Sequence, residues 1–127
     1  MNVKEIREKY GDNLERFCYR TCASKPSVNA WENGSSKPHG AMKTLLEYAG
    51  EYHLEIEPVI DPDFVAMSDV ERLKSVMEYY EDTPIRFAVR ISSSAAIVER
   101  WLAGSTIGNM AKRLLIEMRK YPERFTL

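Results

Sequence analysis

Moving the sequence seventy residues along itself, without a gap, brings like side chains onto like. Lys4 meets Lys74, Ile6 meets Val76, Glu8 meets Glu78 and Tyr10 meets Tyr80. Arg16, Phe17 and Arg20 meet Arg86, Phe87 and Arg90. Further on, Val28 meets Val98, Trp31 meets Trp101, Gly34 meets Gly104 and Ser35 meets Ser105. A one-residue slip then pairs Leu45-Leu46 with Leu114-Leu115. Chance supplies a few such matches, but not Phe, Trp and Gly at one spacing, each at the right place of a helical pattern. The chain therefore reads as two tandem copies of one unit, residues 1–56 and 68–127, joined by residues 57–67. A unit of about 60 residues is only marginally able to fold alone. The copies are expected to lean on each other or on a second chain.

Helical spacing runs through both copies. Val3, Ile6 and Tyr10 share one face, and Leu14, Phe17, Cys18 and Thr21 share another. Asn13 fits the N-cap of a second helix. Ser24 fits the N-cap of a third, Lys25 to about Asn33, with Pro26 in the first turn, where a missing N–H costs little. Gly34 suits a left-handed residue at its end. A loop, SSKPHG, leads to a helix carrying Leu45, Leu46 and Ala49. Residues 54–66 alternate Leu54 and Ile56 with Glu55 and Glu57 and then carry two prolines, which predicts a short strand or extended linker. Ser68 and Glu71 form a capping box, and Thr83-Pro84 repeats the helix start seen at Asn13. The expected fold is all-α.

Net charge is −1, which argues weakly against nucleic-acid binding. Its distribution softens the objection. Residues 1–56 carry eight basic and eight acidic side chains, residues 68–127 ten and eight, and Glu57, Asp61 and Asp63 lie between. Arg86, Arg90, Arg100, Lys112 and Arg113 make the second copy the more basic, which favours phosphate contact. No apolar run is long enough for a signal peptide or a membrane span, so a cytoplasmic protein, bacterial or phage-encoded, is expected. Cys18 and Cys22, four apart on a helix, are too distant for a disulfide. They lack the spacing of a zinc site, and His39 and His53 are not paired for one. Reduced, partly buried thiols, no metal and no cofactor are expected. No phosphate-binding glycine loop and no H-E-x-x-H helix is present, so no enzyme is expected. No ligand pocket is evident either.

The segment Asn13 to Pro38 carries V-N-A-W-E-N-G-S-S-K-P after a short helix and a tight turn. It resembles the helix-turn-helix of Cro/repressor-type regulators, the Xre family, and the phrase running on to Leu46 looks most like antitoxin-type members. The resemblance covers residues 1–50 and implies a lambda-repressor-like bundle, present twice. It implies base contacts from Lys25, Pro26, Ser27, Asn29 and Ala30, and phosphate contacts from the Asn13 backbone, Ser36 and Lys37, with Ser24 at the helix start. Asn suits an adenine edge, and Lys a guanine or a phosphate. Trp31 is expected in the core rather than on DNA. The family often has Gln where this chain has Leu14, so one backbone contact is lost there or Leu14 faces a partner.

The second copy departs further, with Leu102 where the first has Glu32. Its tip is Ser94, Ala95, Ala96 and Ile97, and Arg100 is its candidate base contact. Apolar tip residues suit thymine methyls or a protein partner equally. Two readings follow. One is a sequence-specific regulator, an autorepressor of a phage or mobile-element operon. Its two heads would span half-sites about 34 Å apart, and its homodimer an inverted-repeat operator. The other is an antitoxin or inhibitor whose second copy dimerises or binds a toxin-like protein through Ala95, Ala96, Ile97 and Leu102.

Overall fold

The computed structural model describes residues 1–127. Every regular element is helical: α1 Val3–Lys9, α2 Leu14–Thr21, α3 Lys25–Asn33, α4 Gly40–Glu51, α5 Pro62–Val65, α6 Asp69–Tyr80, α7 Pro84–Arg90, α8 Ala95–Leu102 and α9 Asn109–Lys120. A single 3₁₀ turn follows at Pro122–Phe125. The caps fall where the side chains dictate. Asn13, Ser24, Ser68, Thr83 and Ser94 each accept the backbone N–H three residues on. Ser68 and Glu71 close a reciprocal capping box. Gly34 ends α3 in the left-handed region, at φ 82°.

The order α1–α4 recurs as α6–α9, and the repetition extends to the backbone. Left-handed residues stand at Gly11 and Glu81, at Cys22 and Ser92, and at Gly34 and Gly104, each pair seventy residues apart. A left-handed conformation is unfavourable for Cys, Glu and Ser, so the surrounding structure imposes it.

Each copy is held by the same clasp. Arg20 grips Asp12 through two hydrogen bonds of 2.7 and 3.0 Å, and its Nη1 donates to the Leu54 carbonyl at 2.7 Å. Arg90 grips Asp82 at 2.7 and 2.9 Å and donates to the Phe125 carbonyl at 2.7 Å. Each guanidinium lies over a tyrosine ring, Tyr10 at 4.1 Å and Tyr80 at 3.8 Å. The arginine side chains are 7% and 4% exposed and the aspartates fully buried.

One core of 25 buried apolar residues runs through both copies. Phe17 and Val28 anchor the first, Phe87 and Val98 the second, and Leu45, Leu46, Leu114 and Leu115 join them. The junction is α4 against α9. There Tyr48 donates to Glu117 at 3.0 Å, receives Arg124 at 2.8 Å, and stacks on Phe125 at 4.9 Å. Burial, with the Glu117 carboxylate, pushes the Tyr48 hydroxyl pKa up.

The strand alternative for residues 54–66 is corrected: residues 54–61 form neither strand nor helix, and Asp61 caps a short helix with Pro62 at its first position. Phe64 and Leu54 are fully buried, and Arg72 donates to the carbonyls of Phe64 and Val65. Arg119 holds Asp61 at 3.0 Å. The segment is thus part of the core. No helix is long and apolar enough to cross a membrane.

Because one core joins the copies, they should unfold together. In urea, the single-tryptophan variants Trp31→Phe and Trp101→Phe should report the same midpoint; two separate midpoints would show independent units. Asp82→Ala leaves Arg90 buried without its partner and should cost about 3–5 kcal/mol in the same titration.

Candidate nucleic-acid interface

The α2–α3 unit starts from its buried side. Phe17, Thr21 and Val28 are fully buried, and Trp31 packs half-buried against the core. Thr21 satisfies its hydroxyl on the Phe17 carbonyl at 2.8 Å. Cys22 turns the chain through a left-handed residue, and Ser24 opens α3. With Val28 anchored inward, the opposite face turns to solvent. Lys25, Pro26 and Asn29 are exposed, and Ser27 is half-buried.

The chemistry of these positions differs. Asn29 makes no side-chain hydrogen bond within the chain, so its amide is free to pair with another edge. Lys25 meets Glu15 at 3.0 Å, but both are more than half exposed. Such a pair contributes about 0–1 kcal/mol and yields readily to a phosphate. Asn13 uses its side chain to cap α2, accepting from Arg16 at 2.8 Å. Ser36 and Lys37 are exposed just beyond α3. Leu14 is half-buried and packs against the core.

In the second copy Ser94 caps α8, Ala95 is half-buried, and Ala96, Ile97 and Arg100 are exposed. Arg100 forms no ion pair. The greater basicity of this copy is largely internal. Arg90 is held in its clasp, and Arg113 is 3% exposed, paired with Glu117 at 3.3 Å and donating to the Glu55 carbonyl at 2.6 Å. Lys112 pairs with Asp69 at 3.4 Å. Of the cations counted there for phosphate, Arg86 is exposed but meets Asp82 at 3.2 Å, and Arg100 is exposed with no ion pair. A sequence shows that an arginine sits at helical spacing, not that its head turns inward.

Ser24 and Ser27 of the first copy and Ile97 and Trp101 of the second line one cleft of about 390 Å³, so the starts of α3 and α8 border the same space.

Glu32, in the W-E-N-G phrase, has a role the sequence did not disclose. Its carboxylate takes Arg7 in a fork, at 2.8 Å from Nη2 and 3.1 Å from Nε, tying α3 to α1. Arg7 also donates to the Asp12 carbonyl at 3.1 Å. The fork, its largest cause, raises the Arg7 pKa. Seventy residues on stand Met77 and Leu102, which line one cleft together. The ion-paired positions of the first copy thus carry two apolar side chains in the second, a correspondence visible only once Arg7 and Glu32 are known to touch. The structure also holds a further cleft, of about 590 Å³, beside the α2–α3 turn, where no pocket was expected.

No family model, no curated protein and no solved structure matches this chain.

The Arg7–Glu32 fork generates a double-mutant test. Glu32→Leu leaves Arg7 half-buried and should cost about 1–3 kcal/mol in denaturant. Adding Arg7→Met installs the second copy's pair and should recover most of that loss. Additive losses would show that the two positions are not coupled.

Proposed function

We propose that this chain is a sequence-specific DNA-binding transcriptional regulator that places α3 in the major groove. The observation that carries the reading is the presentation of α3. Its apolar side is locked by Val28 and Trp31, and its outer side offers Lys25, Ser27 and Asn29 at the helix start. A major groove admits a helix, and its base edges are read by amide and ammonium side chains. Ser24, Pro26, Asn13, Ser36 and Lys37 border that face and suit phosphate contact. The resemblance to Cro/repressor-type regulators supports the same face.

The reading takes one head per chain, α3, since the start of α8 borders the same cleft as the start of α3. A symmetric homodimer then supplies two heads, and its operator is an inverted repeat. Repression of its own operon, of phage or mobile-element type, is the regulatory role we attach to it.

A second reading is favoured by a specific surface. Ile85 and Val89 on α7 are 68% and 62% exposed, where the first copy has Glu15 and Tyr19. The anticipated patch at Ala95, Ala96, Ile97 and Leu102 loses Leu102, which packs against the core. The second copy in this reading is a protein-contact module, for a second chain or a toxin-like partner, through α7.

Selection from a random duplex pool should enrich an inverted repeat, with affinity falling linearly in log salt. Asn29→Ala should weaken the enriched site by about 1–3 kcal/mol. Failure to enrich any sequence would overturn the DNA reading. Ile85→Lys with Val89→Lys should dissociate a dimer in sedimentation if α7 is the contact; an unchanged mass would remove that surface as the dimer contact.

A further inference from the structure

The cleft of about 590 Å³ lies where three parts of the chain meet: the end of α2 with its turn, the segment after Leu54, and one side of α6 and α9. Its size falls within the range of small-molecule sites. Its apolar lining is Ile56, Pro58, Ile60, Ile116 and Ala23. Cys18 and Cys22 complete the wall. Burial raises both thiol pKa values, so at neutral pH they are uncharged.

Its charged groups are of one sign. Arg72, Lys112 and Arg113 line the cleft, and no Asp or Glu does. Arg113 is neutralised by Glu117, and Lys112 pairs outside the cleft with Asp69. Arg72 differs from both. It donates from Nε to the Phe64 carbonyl at 2.9 Å and from Nη2 to the Val65 carbonyl at 3.1 Å. Both partners are neutral, and its charge has no carboxylate opposite. The Phe64 ring, 5.2 Å from the guanidinium, holds it from one side. A cation fixed by two carbonyls beside an apolar wall matches a ligand with an anionic head and an apolar body.

From this juxtaposition we propose that the cleft binds a small organic anion, a carboxylate or sulfonate with an apolar chain or ring system. The head pairs with Arg72, with Lys112 next to it, and the body lies along Ile56, Ile60 and Ile116. The site is separate from the outer face of α3 and does not depend on the DNA-binding reading.

The test uses the whole chain and two probes. The first is anilinonaphthalene sulfonate, an apolar-bodied anion whose fluorescence rises on leaving water. The second is decanoate, kept below its micelle-forming concentration, as competitor. Expected are saturable binding at one probe per chain and displacement by decanoate but not by decyltrimethylammonium. Decanoate should also slow alkylation of Cys22 by iodoacetamide. Arg72→Gln should weaken both anions by about fivefold or more, the loss of one charge-assisted contact. Because Arg72 also holds α5, Asn109→Asp is the second variant. It adds a carboxylate to the cleft at the exposed first turn of α9, where a negative charge favours the helix. It should weaken both anions with the unfolding midpoint held or raised. Non-saturable binding, equal competition by the cationic amphiphile, or unchanged affinity in a folded Asn109→Asp protein would overturn the proposal.

Discussion

An arginine turned back onto an aspartate eight residues earlier organises each half of this molecule. Asp12 lies in the turn before α2, Arg20 at the last turn of α2, and the Leu54 carbonyl beyond α4. One guanidinium therefore fixes where α2 begins, where it ends and where the chain leaves α4. Asp82, Arg90 and the Phe125 carbonyl repeat the arrangement within 0.1 Å in each distance. A buried pair of this kind adds little net stability over an apolar substitute. Its effect is on geometry. Any register that leaves either charge unpartnered is strongly disfavoured, so both copies close in the same way.

The scaffold is conserved between the copies while the faces diverge. The α1–α3 tie is an ion pair in the first copy, and the same two places carry the apolar Met77 and Leu102 in the second. The outer side of α3 is polar, whereas the start of α8 offers Ala96 and Ile97. The outer side of α2 carries Glu15 and Tyr19, and that of α7 carries Ile85 and Val89. Since α4 and α9 pack together through Tyr48 and Glu117, neither head moves freely from the other. Both α3 and α8 begin on one cleft.

The repeat, the helix starts and the core face were legible in the sequence because each is local. A cap needs only a side chain and the N–H three residues on, as at Asn13 and Ser24. Helical spacing shows Phe17 and Val28 inward without reference to any partner. What was illegible depends on distant groups. Residues 57–67 read as linker because two prolines and three acids suppress periodicity; in the fold Asp61 and Pro62 start a helix only long enough to bury Phe64. Arg90 read as a surface cation because nothing local shows its head meeting Asp82, and Arg113 because its i,i+4 spacing to Glu117 does not show that the pair is buried against Tyr48 and the Glu55 carbonyl. The face of α3 was read from a phrase and its spacing. The shared cleft and the 590 Å³ pocket arise from the packing of two copies, which no single copy encodes.

The central claim is that α3 meets duplex DNA. Backbone amide NMR spectra of the labelled chain, titrated at low salt with a short duplex of mixed sequence, test it most directly. The account predicts shifts concentrated at Ser24 to Ala30, with smaller ones at Asn13, Ser36 and Lys37. Shifts centred on Ile85 and Val89 with α3 unmoved, or no shifts at all, would contradict it.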